Sequence, residues 1–320
     1  ESYQGQKKAY FDPDSNPEEI IEHYDLYSEI ISEKLLKWIN DNTIDLLISE
    51  NASALPIHIS LGIGIKKAAK KSGLPIITHD HDFAWERGDR YNSPHQEINE
   101  LVEGAFPLRL SNSYHAVINS NAKKVLKEKY NRDAVVIPNV MDFNRPFGKI
   151  TKENKFLKQD LGLNEEDILL FQITRIVSRK AIDVAIRLVH KLQDERIKLV
   201  ITGGYVDDEG NKHFNELMDL VNDLNLNRQV LFAHDKFSEG LHSKSKNGVY
   251  TLSDAYAHAT ACTYFSTYEG FGNAFVEAVL AKTPIFVNNY KPVFWPDIGS
   301  LFIWSSHPIS IDFFLSPSSA

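Results

Sequence analysis

Two glutamates separated by seven residues flank a glycine-containing turn late in the chain. The run Tyr-Glu-Gly-Phe-Gly-Asn-Ala-Phe-Val-Glu-Ala occupies residues 268–278, with Glu269 and Glu277 as its acids. Gly270 and Gly272 allow a ligand to approach the backbone closely, and unpaired N–H groups at a helix start attract anions. The pattern predicts a phosphate site in which the two acids bind different hydroxyls of one extended ligand. A purely structural turn is the alternative, since such turns are common.

A basic segment follows an apolar run, Ile168 to Ile173, that is typical of a buried strand. Arg175 and Lys180 lie in this segment, and an amphipathic pattern begins at Ala181. Arginine offers a bidentate fork and lysine a movable point charge, and both suit a diphosphate at the end of a strand. The alternative interpretation is a solvated basic loop.

Two further strand ends carry polar or small residues. Gly203 and Gly204 follow the apolar run Ile197 to Thr202, where they either let a nucleoside lie against the backbone or form a turn. A His- and Asp-rich run, residues 79–82, follows a shorter apolar run in the N-terminal part. An Asp-x-Asp metal site is one interpretation of Asp80 to Asp82, but so short a match arises easily by chance, and we expect no metal there.

Together these segments resemble a known enzyme family. The runs YEGFGNAFVEAVLAKTPIFV (268–287), RIVSRKAIDVAIRL (175–188) and VIPNVMDF (136–143) are similar, in order and spacing, to the group 1 retaining glycosyltransferases of the GT-B fold, glycosyltransferase family 4. The resemblance is close from about Leu169 to Val287 and loose before that. Val140 stands where the family usually has glycine.

The resemblance implies a fold and an activity. It implies an α/β fold of two Rossmann-like doubly wound domains facing a cleft, an acceptor-side domain over 1–148 and a nucleotide-sugar domain over 149–320. It also implies transfer of a hexose from a UDP-, GDP- or ADP-sugar to a hydroxyl of a small molecule or glycan, with retention and without a metal or other cofactor. A non-catalytic nucleotide-sugar-binding fragment, a phosphorylase and an epimerase are the alternatives.

The resemblance also implies roles for individual residues. Arg175 and Lys180 would bind the donor diphosphate, Glu277 the nucleotide ribose and Glu269 the hydroxyls of the transferred sugar. The backbone N–H groups of Phe271, Gly272 and Asn273 would contact sugar and phosphate. His81 would face the acceptor hydroxyl, with His79 as the less favoured alternative. The implied catalytic set is His81, Glu269, Arg175 and Lys180, and the implied donor-binding set adds Gly203, Gly204, Gly270, Phe271, Gly272, Asn273 and Glu277.

The elements that must position these residues alternate between helices and strands, as in βαβ units. Predicted strands are Ile44–Ser49, Pro75–Thr78, Ala116–Asn119, Ala134–Pro138, Ile168–Ile173, Ile197–Thr202, Gln229–Phe232, Thr260–Phe265 and Pro284–Val287. Predicted helices in the first half are Pro17–Asn40, Leu55–Lys71 and Ala122–Tyr130, and a helix is expected from about Asn273. A polar, Lys-rich stretch, residues 147–159, is interpreted as the connection between domains. In the family that the sequence resembles, a first strand followed by a glycine-rich loop usually opens the N-terminal domain. Neither is recognisable before Pro17, so the resemblance implies an N-terminal domain that lacks its first strand.

Composition narrows the function classes. The 320 residues carry a formal net charge of -8, which disfavours nucleic-acid partners. No apolar run approaches the roughly 20 residues that span a bilayer, which leaves peripheral association with a membrane open. Cys262 is the single cysteine, expected as a buried strand thiol in a reducing cytoplasm. Because the chain opens with Glu1 and lacks the family's usual ending, we expect it to be part of a longer polypeptide.

Overall fold

The computed structural model describes residues 10–144, 146–205, 208–238 and 249–301. It divides into two compact units, Glu1–Pro138 and Asn139–Ala320. The division thus falls after Pro138, upstream of the boundary predicted at residue 148. Phe147 is buried in the core of the second unit beside Leu157, and the backbone N–H of Gly148 donates to Ser253 Oγ at 3.0 Å. The stretch interpreted as a connection therefore packs as part of the second unit.

The first unit is a parallel sheet with helices between its strands, in the sheet order β1-β2-β3-β4. Its elements are α1 (Pro17–Asp41), β1 (Leu47–Glu50), α2 (Ile59–Ser72), β2 (Ile76–Asp80), a 3₁₀ helix (Ala84–Tyr91), α3 (Gln96–Ala105), β3 (Ser113–Val117), α4 (Ser120–Tyr130) and β4 (Ala134–Val136). The predicted strands and helices of this half are confirmed. The 3₁₀ helix and α3 were missed, because their segments are short and rich in polar residues.

Local signals explain where the first helices begin and end. Asn16 caps α1 by accepting a hydrogen bond from Glu18 N, and Pro17 occupies the first helical turn, where no N–H partner is needed. α2 ends at Gly73, which has the left-handed backbone conformation that glycine adopts without steric strain. An ion pair of 2.5 Å joins Lys67 of α2 to Asp25 of α1, so the two long helices pack side by side.

The strand order has a consequence for the sheet faces. Each strand pairs with the next one along the chain, and right-handed crossovers that all step in one direction place their helices on the same face. The opposite face of the sheet is not covered by these helices, because Ile48, Tyr114 and Val135 on it are 66%, 61% and 64% exposed. The described part of the first unit is therefore wound on one side.

The second unit is wound on both sides. Its elements are α5 (Leu157–Asp160), β5 (Ile168–Gln172), α6 (Ile182–Leu192), β6 (Ile197–Ile201), α7 (Asp208–Asp223), β7 (Val230–Phe232), α8 (Leu252–His258), β8 (Ala261–Tyr264), β9 (Tyr268–Glu269), α9 (Asn273–Ala281), β10 (Ile285–Val287) and β11 (Lys291–Pro292). Five parallel strands lie in the order β10-β8-β5-β6-β7, and β9 pairs with β11. The strands predicted in this half are confirmed.

This order creates a topological switch point between β5 and β8. From β5 the chain steps to β6 and β7 on one side, and later to β8 and β10 on the other. Separate apolar clusters cover the two faces, one around Leu199 with α6 and α7, the other around Phe171 with α5, α8 and α9. In open α/β sheets the crevice at such a point, beyond the carboxyl ends of the strands, is where ligands bind.

The single cysteine and the polarity of the helices were both subjects of prediction. Cys262 is a free, buried thiol on β8, as predicted, and burial raises its pKa to about 12. Across the described ranges, every helix is either too short or too polar to cross a bilayer.

Candidate active site

At the switch point, a buried side-chain amide connects β5 to β8. Gln172, at the end of β5, donates through Nε2 to Thr174 Oγ1 at 3.0 Å and accepts from Thr263 Oγ1 of β8 at 2.7 Å. Its side chain is fully buried, so these bonds satisfy both ends of the amide. Gln172 was not among the predicted site residues, although a single amide at the end of an otherwise apolar run is visible in the sequence.

Two cations converge on Glu269 beyond the ends of β5 and β8. Lys180 Nζ contacts Glu269 Oε1, and Arg179 donates through one guanidinium nitrogen to Glu269 Oε2 at 2.8 Å. The same nitrogen donates to the carbonyl of Tyr268 at 3.2 Å. Lys180 also lies over the Tyr264 ring, 5.2 Å from its centroid. The structure therefore brings the basic segment and the glycine turn together, with Arg179 as a residue that sequence analysis had not selected.

Positive charge exceeds negative charge in this cluster. Burial alone would raise the pKa of Glu269, but Lys180 and Arg179 outweigh it and hold that pKa below its usual range. Burial lowers the pKa of Lys180, and repulsion from Arg179 and Arg175 adds to burial against the attraction of Glu269. Even with Glu277 counted beside Glu269, two carboxylates among three cationic side chains leave a net positive charge that an anionic ligand would neutralise.

Arg175 differs from its two basic neighbours. Its side chain is exposed, and it forms no ion pair with the residues that the structure describes. Its charge still acts on Lys180. Arg175 is therefore the cation of the segment that can turn toward a ligand without breaking an ion pair.

The glycines of the predicted donor site serve the fold in different ways. A Cβ on Gly203 would lie 1.9 Å from the carbonyl oxygen of Thr174, and Ile176 N donates to Gly204 O at 3.1 Å. The close approach that Gly203 permits is thus between the loops after β5 and β6 of this chain. Gly203 thereby holds the backbone that carries Arg175, and nucleoside contact at Gly203 and Gly204 stays a prediction.

The turn before α9 needs glycine at position 272. Gly272 has φ 106° at the N-cap of α9, and a Cβ there would lie 2.0 Å from the hydroxyl of Tyr290. That hydroxyl donates to the carbonyl of Phe271 at 2.8 Å, which fixes the turn. Phe271 is buried, while Asn273 is exposed and accepts from Asn139 Nδ2 at 2.8 Å. The first turn of α9, with its positive dipole end, begins at Asn273, four residues after Glu269.

Glu277 is buried one turn into α9. Its Oε2 accepts a hydrogen bond from the hydroxyl of Tyr256 at 2.9 Å. Burial raises the pKa of Glu277, opposed by Tyr256 and by the charge of Lys180. Lys180 therefore acts electrostatically on both glutamates of the motif.

His81 lies in the first unit, at the carboxyl end of β2. Its Nε2 is 2.5 Å from Glu50 Oε1, and its backbone N donates to Asn51 Oδ1 at 2.9 Å. Asn51 adopts a left-handed backbone with φ 56°, a conformation that asparagine tolerates. His79 Nδ1 lies 3.0 Å from the same Glu50 oxygen. Both histidines thus contact Glu50, which the sequence marks, with Asn51, as a polar pair at a strand end but does not assign a role.

The Asp-x-Asp interpretation does not match the geometry. Asp80 is buried and accepts from Thr78 Oγ1 at 2.8 Å, with His115 Nδ1 3.8 Å away. Asp82 instead forms an ion pair with Arg87. In a continuing strand, residues two apart would share a face, but β2 ends at Asp80 and Asp82 lies beyond it, so the two aspartates take different partners.

The sheet order, with its switch point and helices on both faces, defines the second unit as a doubly wound, Rossmann-like α/β domain. Residues 153–294 match the family model described as "Glycosyl transferases group 1". The predicted resemblance to group 1 glycosyltransferases is therefore confirmed over these residues, while membership of glycosyltransferase family 4 and retention stay predictions.

Two curated relatives carry the same name. Mannosylglucosylglycerate synthase of Petrotoga mobilis is 32% identical over 277 residues, which are 81% of this chain and 62% of the relative. The enzyme of that name from Thermotoga maritima is 31% identical over 273 residues, 79% of this chain and 59% of the relative. This chain thus spans about three fifths of the length of these relatives.

Solved structures confirm the fold class. A glycosyltransferase from Rickettsia africae superposes with a TM-score of 0.60 at 16% identity, over 87% of this chain and 64% of that one. Anabaena HepE in complex with UDP-glucose gives 0.58 at 18% identity, over 81% and 63%. Similarity at this level of identity concerns the fold, which is that of GT-B glycosyltransferases.

Proposed function

We propose that the protein containing this chain transfers a hexose from a nucleoside diphosphate sugar to a hydroxyl acceptor, with retention of anomeric configuration. The observation that carries the proposal is the contact of Lys180 and Arg179 with Glu269 at a switch point, inside a group 1 glycosyl transferase domain. A site of this kind offers excess positive charge and a helix start to one anionic ligand.

In this proposal the donor diphosphate binds between Lys180, Arg175 and the start of α9. Arg175 is exposed and can supply a bidentate contact, while Lys180 is already held within the cluster. As the bond to the sugar breaks, charge builds up on the leaving diphosphate, and each well-placed cationic donor stabilises it by about 3 kcal/mol. Side chains would thus do the work that a metal ion does elsewhere, so we propose a metal-independent diphosphate site.

The two glutamates would bind the hydroxyl groups of the donor. Glu277 is buried beside Tyr256 and keeps a second carboxylate oxygen for the ribose hydroxyls. Glu269 would bind hydroxyls of the transferred sugar, with the backbone N–H groups of Phe271, Gly272 and Asn273 beside it. Because both Glu269 oxygens already contact cations, sugar binding must share them or draw Lys180 toward the diphosphate.

The acceptor side is proposed for the first unit, where His81 would contact the acceptor hydroxyl. The relatives at 31% and 32% identity are named for making mannosylglucosylglycerate. We therefore propose a small glycosylated acid such as glucosylglycerate as the acceptor, and a mannosyl group as the first sugar to test. The buried, free Cys262 is in keeping with a reducing cytoplasm as the place of reaction.

Donor binding can be tested by thermal unfolding of the full-length protein with UDP-, GDP- and ADP-sugars, mannose included. We expect one donor to raise Tm, and Glu277→Ala to abolish the rise. Incubation with that donor and glucosylglycerate should then give a product whose anomeric configuration, read by NMR, equals that of the donor sugar. Binding without product would favour a non-catalytic nucleotide-sugar-binding protein, and no shift with any donor would contradict the proposal.

A further inference from the structure

Three metal-ligating side chains meet at the edge of the first unit's sheet. Glu50 ends β1, and His79 and His81 lie at and just beyond the end of β2. Oε1 of Glu50 is 2.5 Å from Nε2 of His81 and 3.0 Å from Nδ1 of His79. One ligating atom from each residue lies within 4.8 Å of the other two. Parallel pairing of Glu50 with His79 brings the group together.

The hydrogen bonds of His79 determine which of its nitrogens carries a proton. Nε2 lies 3.2 Å from the carbonyl oxygen of Ile137, which can only accept, so Nε2 must donate. In the neutral ring, Nδ1 then presents a lone pair to the Glu50 carboxylate, 3.0 Å from Oε1 and 3.2 Å from Oε2. Two acceptors at this distance repel each other unless a positive charge lies between them. That charge is either a second proton on the ring or a metal cation.

We propose that Glu50, His79 and His81 form a binding site for a divalent cation of the zinc class. Two histidines and one glutamate are a known ligand set for zinc, with a fourth position open to water. Ligating histidines usually donate their other ring nitrogen to a carbonyl or carboxylate, as His79 does to Ile137. Asn51 supports the loop by accepting from the backbone N–H groups of His81 and Asp82 at 2.9 and 3.3 Å.

The geometry needs small rotations to receive an ion. Ligands of a tetrahedral zinc ion lie about 3.3 Å apart, as follows from bonds of about 2.0–2.1 Å. The His81–Glu50 contact must lengthen from 2.5 Å, and the two ring nitrogens, now within 4.8 Å of each other, must take up a separation of about 3.3 Å. The Glu50 side chain is 59% exposed and can rotate freely, while those of His79 and His81 are 21% and 32% exposed. An ion can therefore reach the site from solvent, where it meets two imidazoles that are partly buried.

The ligand set also selects among cations. Imidazole nitrogen favours Zn²⁺, Co²⁺ and Ni²⁺, whereas Mg²⁺ and Ca²⁺ prefer sites built from oxygen atoms. Two neutral imidazoles and one carboxylate leave a bound divalent ion with a net positive charge, so its open position would take water or another oxygen ligand. A cation held here would occupy Nε2 of His81, and the ion, rather than the ring, would then face an acceptor oxygen.

This inference concerns the first unit and holds whether or not the protein transfers sugar. The experiment is a titration of chelator-treated, dialysed protein with Zn²⁺ by calorimetry, and with Co²⁺ by visible absorption. We expect one ion per chain and no binding of Mg²⁺ at the same concentrations. The Co²⁺ spectrum should be typical of a four-coordinate ion with nitrogen and oxygen ligands. Glu50→Gln keeps the side-chain shape, and His79→Ala removes a ligating nitrogen together with its hydrogen bond to the Ile137 carbonyl.

Each of these two variants should weaken Zn²⁺ binding by at least about 100-fold, since even outer-shell changes cost about 10- to 100-fold. The matched control is His213→Ala, because His213 forms a comparable contact with Glu216 at 3.2 Å on α7, in the second unit. That variant should bind Zn²⁺ like the wild type. Absence of saturable binding below millimolar Zn²⁺, or equal losses in the control and the Glu50 variant, would overturn the proposal.

Discussion

Both units gather an acid and two basic groups at the carboxyl ends of neighbouring parallel strands, but they bury them to very different degrees. In the second unit the Glu269 side chain is 9% exposed and contacts Lys180 and Arg179, whereas in the first unit the Glu50 side chain is 59% exposed and contacts two histidines. The sheet order explains the difference. A switch point with helices on both faces encloses a crevice, while a sheet wound on one side leaves its strand ends open to solvent. Because the Glu269 cluster is buried, it is part of the fold of the second unit. The exposed Glu50 cluster of the first unit can still change its side-chain conformations.

The largest effect that separates the clusters is expected from removing the two acids. Glu269→Ala leaves Lys180 buried without its anion, which should lower the free energy of unfolding of the second unit by about 3 kcal/mol. Glu50→Ala should change that of the first unit by less than about 0.5 kcal/mol, as for most surface substitutions. Hydrogen exchange read by mass spectrometry distinguishes the units. Equal losses in both would refute the contrast in burial.

Glycine substitutions test the loop packing behind the buried cluster. Gly203→Ala drives a methyl group into the Thr174 carbonyl and should destabilise the second unit by about 2 kcal/mol, as overpacking does. Gly104→Ala is the matched control, since Gly104 lies in α3 with no atom within 4 Å of the added Cβ. It should stabilise the first unit by about 0.5 kcal/mol. Denaturant unfolding of each variant measures both changes, and a neutral Gly203→Ala would show that the loop is free to shift.

The two arginines of the basic segment separate ligand binding from stability. Arg175→Ala should weaken binding of the identified nucleotide sugar roughly tenfold, about 1.4 kcal/mol, and leave Tm unchanged because Arg175 is exposed. Arg179→Ala should lower Tm as well, since Arg179 is bonded to Glu269 and to the Tyr268 carbonyl. Calorimetric titration and thermal unfolding of both variants measure the split. A fall in Tm for Arg175→Ala would place that side chain in the folded cluster instead.

The smallest effect is a pH dependence at Glu277. Burial raises its pKa, so the wild type is stabilised below the ordinary carboxyl range and loses that contribution as pH rises through the raised value. Glutamine can still accept from Tyr256 but does not ionise. The Tm of Glu277→Gln should therefore rise relative to wild type across this window and then keep a constant difference. A difference in Tm that does not change with pH would contradict the raised pKa.

Much of the fold could be predicted from the sequence because its signals are local. Short runs of apolar and β-branched residues marked the predicted strands, and the glycine turn with its following helix was located at Gly272 and Asn273. The same local signals failed at α3 and at residues 147–159. There the polar composition is that of a loop, but Phe147 and Leu157 fill the core of the second unit.

The candidate sites were predictable only in part, for a related reason. Lys180, Glu269 and Glu277 stood out by spacing, whereas Arg179 could not be told from Arg175 because both lie in one short basic segment. Gln172 and Tyr256 gave weak signals, since a lone polar group in an apolar run acquires a role only through its partners. The roles of His81 and the donor-binding residues stay predictions until a ligand is bound.

By itself the sequence determined the alternation of strands and helices, the turn that needs glycine, and the presence of acids and cations at strand ends. The tertiary structure decided which of these meet. Pairing of β1 with β2 sets Glu50 beside His79 and His81, and the switch point between β5 and β8 sets Arg179 and Lys180 against Glu269. Short-range order follows from periodicity along the chain, but such encounters depend on strand order and register, which no local pattern encodes.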